Sequence, residues 1–85
     1  MYVNSWEGRL ISVKQVKAVK HGFREGQKIR LIEHMGRNKD RYVRGRVIAR
    51  TKYFITIMVS KNGIERYPES FKYVDFILGR VQKLE

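Results

Sequence analysis

Eighty-five residues with 42% hydrophobic side chains suffice for one modest core and are too few for a separate catalytic domain. Nineteen lysines and arginines against eight acids leave a formal net charge of +11, and the lack of cysteine excludes disulfides and thiolate metal sites, which fits a reducing cytoplasm. No apolar run approaches the ~18–20 residues of a membrane-spanning helix, and the first residues lack the basic-then-apolar layout of a signal peptide, so a soluble cytoplasmic protein without membrane association is expected.

Residues 1–10 have no clear period and read as an extended arm whose Tyr2, Val3 and Trp6 are available for packing. Ser12 followed three positions later by Gln15 has the spacing of a capping box, in which hydroxyl and amide each satisfy a free backbone donor. Ile11 and Val16 occupy the two positions of a hydrophobic staple. Val13, Val16 and Val19 then share one side while Lys14 and Lys17 point away, predicting a helix over 12–22 with Gly22 as a left-handed stop. The β-branched valines lower intrinsic helicity, so this helix needs tertiary contact.

From Gln27 the period becomes two, with Ile29 and Leu31 alternating with Lys28, Arg30 and Ile32, the pattern of a half-buried strand. A polar basic loop follows over 35–40. A second strand runs from about Tyr42 to Arg50, with Val43, Val47 and Ala49 on one face and Arg44, Arg46 and Arg50 on the other. Gly45 is expected to relieve a bend or bulge there. The next segment, Tyr53 to Val59, is the most apolar and suits a central strand covered on much of both faces. Asn62-Gly63 is the residue pair preferred by two-residue hairpins with positive φ at both central positions, so Ile64 to Tyr67 should pair back on it until Pro68 ends regular pairing. Phe71, Tyr73 and Phe76 lie in a turn with one short helical step that plugs the core, and a last strand covers about 79–84.

With no repeat, low-complexity tract or linker, the chain reads as one domain: arm 1–10, helix 12–22 and β-barrel 27–84. The expected fold is mainly β, a small SH3-like or Sm-like antiparallel barrel of about five strands preceded by a short helix. An open sheet packed on the helix is the alternative.

Charge carries the functional signal. Ten of the nineteen basic residues fall between Arg24 and Lys52 against only Glu25, Glu33 and Asp40, an excess of seven. Such density suits a polyanion. The predicted phosphate contacts are Arg37, Lys39 and Arg41 on the loop and Arg44, Arg46 and Arg50 on one strand face, with Lys52 and Tyr42 beside them. Alternate residues of a strand lie about 6.5–7 Å apart, close to the ~7 Å that two phosphate steps of duplex DNA span. Arginine forks suit phosphate oxygens, and Tyr42, Tyr53 and Phe54 are open to stacking on bases or to burial, with Phe54, Phe71 and Phe76 favouring the core.

No enzyme chemistry is expected. His21 and His34 are too few for a structural zinc site, Asp40 and Asp75 lack a partner carboxylate in sequence, Ser60 and Ser70 lack a nucleophile-elbow context, and Gly36 and Gly45 do not form a phosphate loop. Neither metal nor cofactor is implied.

The order of these segments resembles the Veg family of small proteins from Gram-positive bacteria. The resemblance rests on Gly45, Ile48, Thr51 and Tyr53, then Glu65-Arg66, Ser70-Phe71 and Asp75-Phe76-Ile77, and covers roughly residues 11 to 82. The family's acidic position before the threonine is Arg50 here, and the first ten residues exceed its usual start. The resemblance implies an SH3-like barrel with an N-terminal helix and a regulatory role linked to biofilm formation. Two functions are therefore expected to compete: a nucleic-acid-binding regulator contacting DNA or RNA phosphates, and a non-enzymatic modulator docking an acidic protein such as a transcription regulator. Either could be monomeric or homodimeric.

Overall fold

Period-two segments become strands, and their apolar halves meet on one side of a single sheet. The computed structural model describes the backbone of residues 2–6 and 9–84 and the side chains of residues 11–84. In chain order the elements are β1 (Tyr2–Trp6), β2 (Arg9–Ser12), α1 (Val13–His21), β3 (Lys28–His34), β4 (Asp40–Arg50), β5 (Phe54–Lys61), β6 (Ile64–Lys72), α2 (Tyr73–Ile77) and β7 (Val81–Lys83). The stretch expected to be an arm is an antiparallel hairpin of β1 and β2, while the packing expected of Tyr2, Val3 and Trp6 lies outside the described side chains.

Five strands form an antiparallel sheet in the order β6-β5-β4-β3-β7, so the mainly β class with a helix before the strands is as expected. Barrel closure is not. Among the described residues no pairing joins β6 to β7, and the sheet stays open. Its inner face carries Ile29, Leu31, Val43, Val47, Ile55, Ile57 and Val59, all at most 4% exposed, and Ile11, Val16, Phe23, Phe71 and Tyr73 complete the same core. The two helices supply the cover that closure of the sheet would otherwise give: Val19 of α1 and Val74, Phe76 and Ile77 of α2 pack against this core. β5 lies between β4 and β6, but its burial alternates, with one face in the core and the other half-exposed.

The local signals at the start of α1 are realised. Ser12 Oγ accepts from Gln15 N at 3.1 Å, and Gln15 Oε1 accepts from Ser12 N at 2.9 Å. Ile11 and Val16 are buried and Lys14 and Lys17 exposed. The stop differs from expectation. Gly22 has φ −76°, right-handed, with its N–H donating to Val19 O, and the carbonyls of Lys20, Gly22 and Phe23 around this helix end accept from the side chains of Arg50 and Lys83. The chain reverses hand later, at Gly26 (φ 85°).

Asn62 and Gly63 have φ 55° and 77°, as the hairpin signal requires, and Lys61 pairs with Ile64. Pairing then runs through Pro68, opposite Met58, and on to Lys72. Because β6 is an edge strand, a missing backbone donor is tolerated there, and Pro68 does not end the ladder. Past it, the expected helical step is α2, with Tyr73 fully buried and the Phe76 ring 5.2 Å from that of Phe23.

β4 holds the two features that decide where its arginines point. Gly45 is buried opposite Val59, and a Cβ there would stand 2.3 Å from the Met58 carbonyl oxygen and 2.5 Å from Ile57 Cγ2. Close backbone approach, not a bend, explains this glycine. The irregularity lies farther on: Val47 opposes Ile57 and Ala49 opposes Thr56, leaving Ile48 as the extra residue of a bulge. An inserted residue reverses the in–out parity of everything after it.

Candidate nucleic-acid interface

Alternation on the β3–β4 hairpin turns Ile29, Leu31, Val43 and Val47 inward and leaves Lys28, Arg30, Tyr42 and Arg44 exposed on the outer face, with Arg46 half-buried. The register sets Lys28 opposite Arg46, Arg30 opposite Arg44 and Ile32 opposite Tyr42. Four cations thus form a two-by-two block, about 5 Å between strands and about 7 Å along them.

This block walls a groove of about 490 Å³ that also includes Met58 and Glu65. A second hollow of about 380 Å³ shares Arg30, Arg44 and Ser60 with it and extends to Tyr42 and Asn62. Glu65 is the acid of the groove, and it accepts from Arg46 Nε at 3.0 Å, an interaction that holds the guanidinium protonated. Both side chains are over 40% exposed, so this is a surface pair of small net worth that a phosphate can displace. Among the described residues, Lys28, Arg30 and Arg44 have no acidic partner. Like charges directly opposite each other on paired strands are destabilising, and this groove has two such pairs side by side.

The predicted contacts divide into distinct environments. Arg37 and Lys39 are exposed in the turn between β3 and β4, tightened by Met35 N donating to Lys39 O at 2.8 Å. Arg44 and Arg46 lie on one outer face as expected, and Tyr42, left open between stacking and burial, is exposed on that same face. Arg41, expected on the loop, belongs to β4 and points the other way: it donates to Glu33 Oε1 at 3.0 Å, to both oxygens of Glu69 and to the Tyr67 hydroxyl. The Arg41 fork holds the Glu69 carboxyl below its ordinary range, and Glu69 in turn keeps Arg41 charged. Two carboxylates and a phenol thus occupy Arg41 in tying β3, β4 and β6 together. Lys52 lies past the far end of β4, with its ammonium 5.5 Å from the Tyr53 ring centre.

Arg50 is not in line with Arg44 and Arg46. The bulge at Ile48 turns it to the inner side, opposite the fully buried Ile55, where Nη1 donates to Phe23 O at 2.8 Å and Lys20 O at 3.2 Å. A cation at the C-terminal end of α1, where Lys20 O is one of its acceptors, also complements the helix dipole. Lys83 adds to this, donating to Gly22 O at 2.9 Å with its ammonium 5.3 Å from the Phe23 ring centre. Arg50→Met is expected to cost about 2 kcal/mol, because charged hydrogen bonds to two carbonyls are lost, while leaving polyanion affinity within about twofold of wild type by the surface-charge argument. Thermal melts and oligonucleotide titrations of that variant check both halves. A loss of affinity with an unchanged melting temperature would place Arg50 in the interface after all.

Lys28 and Arg30 join the block although sequence reading did not single them out. Their parity on β3 was visible, but their opposition to Arg46 and Arg44 depends on the register of pairing. Beyond Tyr42 the same face continues to His34, whose Nδ1 donates to Asp40 Oδ1 at 2.8 Å and whose Nε2 lies 3.2 Å from Gln82 Oε1. The Asp40 bond, then the Gln82 bond, raises the His34 pKa above its ordinary 6.5 and favours a cation at this end of the strip.

Among the described residues, no group of three histidines or acids is placed to hold a metal, and no helix is long and apolar enough to cross a membrane. No protein-family model matches the chain, and no curated protein matches it.

Proposed function

We propose that this chain is a small, non-enzymatic regulatory protein that binds nucleic acid through its phosphate backbone. The single observation that supports this reading best is the pair of like-charge oppositions, Lys28 with Arg46 and Arg30 with Arg44, on one groove. Four cations held together at a cost to the sheet, only Arg46 of them with an acidic partner among the described residues, are the pattern expected where an anionic ligand supplies the missing charge. Four cations against Glu65 leave an excess of three in the groove. Arg37 and Lys39 at the hairpin tip extend the positive potential along the strand direction. A regulatory rather than structural role follows the resemblance to the Veg family.

Fluorescence anisotropy of labelled oligonucleotides across a range of salt tests the reading. Affinity should fall linearly in log–log form as salt rises, with a slope reporting about three to four phosphates. A chain that binds no oligonucleotide even at low salt would overturn it, and the acidic-protein partner would become the better explanation of the groove.

A further inference from the structure

Beside the block of cations stands a tyrosine that the fold leaves unused. Three of the four tyrosines with described side chains have partners: the Tyr73 hydroxyl donates to Thr51 O, the Tyr67 hydroxyl accepts from Arg41, and Lys52 stands over the Tyr53 ring. Tyr42 is 72% exposed and has no hydrogen bond or ring contact among the described residues. It sits one alternate position along β4 from Arg44, opposite Ile32, in the same hollow as Arg30 and Arg44.

We infer that the groove takes a single-stranded nucleic acid, with one unpaired base stacked on the Tyr42 ring and the adjoining phosphates on Arg30–Arg44 and Lys28–Arg46. This rests on the phosphate-binding reading above and adds the form of the ligand. Phosphates alone do not discriminate, since strand geometry suits either form. The tyrosine does. Stacking on an aromatic side chain requires a base face free of its own stack, which a single strand offers and a duplex withholds. The block and the ring lie along one line in steps of about 7 Å, so phosphates and base are met in sequence by an extended strand. Both helices pack on the inner side of the sheet, so this face presents no helix to enter a major groove.

Short oligo-dT and oligo-U strands and a duplex DNA of equal length, each titrated at low salt against the wild type, Tyr42→Ala and Tyr42→Trp, test the inference. The wild type should prefer the single strands. Tyr42→Ala should weaken them about tenfold, within the range of one base–aromatic stack, and change duplex affinity by no more than about twofold. Tyr42→Trp should restore single-strand binding and show indole fluorescence quenching on titration. The two single-strand arms separate DNA from RNA, and preference for either supports the inference. Equal loss on duplex and single strands, or no loss in Tyr42→Ala, overturns the stacking assignment while leaving phosphate binding intact. Absence of binding to all three oligonucleotides overturns both.

Discussion

Gly45→Ala is expected to destabilise the fold by about 3 kcal/mol, at the upper end of what overpacking one methyl costs. The new Cβ meets the Met58 carbonyl oxygen at 2.3 Å, and that atom belongs to the backbone of β5, which cannot swing aside as a flexible side chain would. Relief requires the central strands to separate where Val43, Val47, Ile57 and Val59 are packed, at most 4% exposed. At about 4–8 °C per kcal/mol for a domain of this size, the melting temperature should fall by roughly 12–24 °C. Calorimetry of the variant beside Gly26→Ala separates steric cost from backbone strain. Gly26 has a positive φ but open space around it, so its cost should be confined to the ~1–2 kcal/mol of a left-handed backbone. A Gly45→Ala protein melting within a few degrees of wild type would mean that β4 and β5 do not approach as closely as described.

Replacing Arg30 and Arg44 together by glutamine should have the largest effect on binding. Two charge-assisted contacts of about 1.5–3 kcal/mol each are removed, so affinity for every oligonucleotide should fall about a hundredfold or more. The slope of log affinity against log salt should shrink by about 1.4 on single strands. Stability should move in the opposite direction, rising by a few tenths of a kcal/mol as the opposed like charges are relieved. This pairing of effects distinguishes a ligand site from a solvated face. Lys14→Gln with Lys17→Gln provides the control: it removes the same charge from α1, which packs on the inner side of the sheet, and should leave affinity nearly unchanged. If the control weakens binding as much as the double arginine variant, the protein binds through net charge and not through the groove.

Much of the fold was legible because it is encoded within short stretches of chain. The Ser12 and Gln15 cap, the alternation of Ile29 and Leu31, the Asn62-Gly63 turn and the helical step at Tyr73 each depend on residues a few positions apart, whose preferences are steric or hydrogen-bonding and act before any tertiary contact exists. Within β4, the same local alternation places Arg44 and Arg46 on one face, as found.

Beyond those stretches local pattern lost its authority. Arg50 follows the arginine alternation in sequence, yet one bulged residue at Ile48 reverses its side and sends it to the end of α1. Arg41 looks like a free loop cation until Glu33 and Glu69 arrive from β3 and β6. Lys28 and Arg30 become part of the candidate site only through their register against β4, and Gly45 is explained only by the backbone of β5. Local pattern is therefore enough for a basic, mainly β domain with its helix start, hairpin turn and cation-rich centre. Which cations share a surface, which serve as caps or ties, and whether the sheet closes were decided by tertiary structure. The reason is physical: strand pairing has a side-chain period of two, so a single extra residue, or a partner strand many residues away, reverses or completes what a local pattern can only suggest.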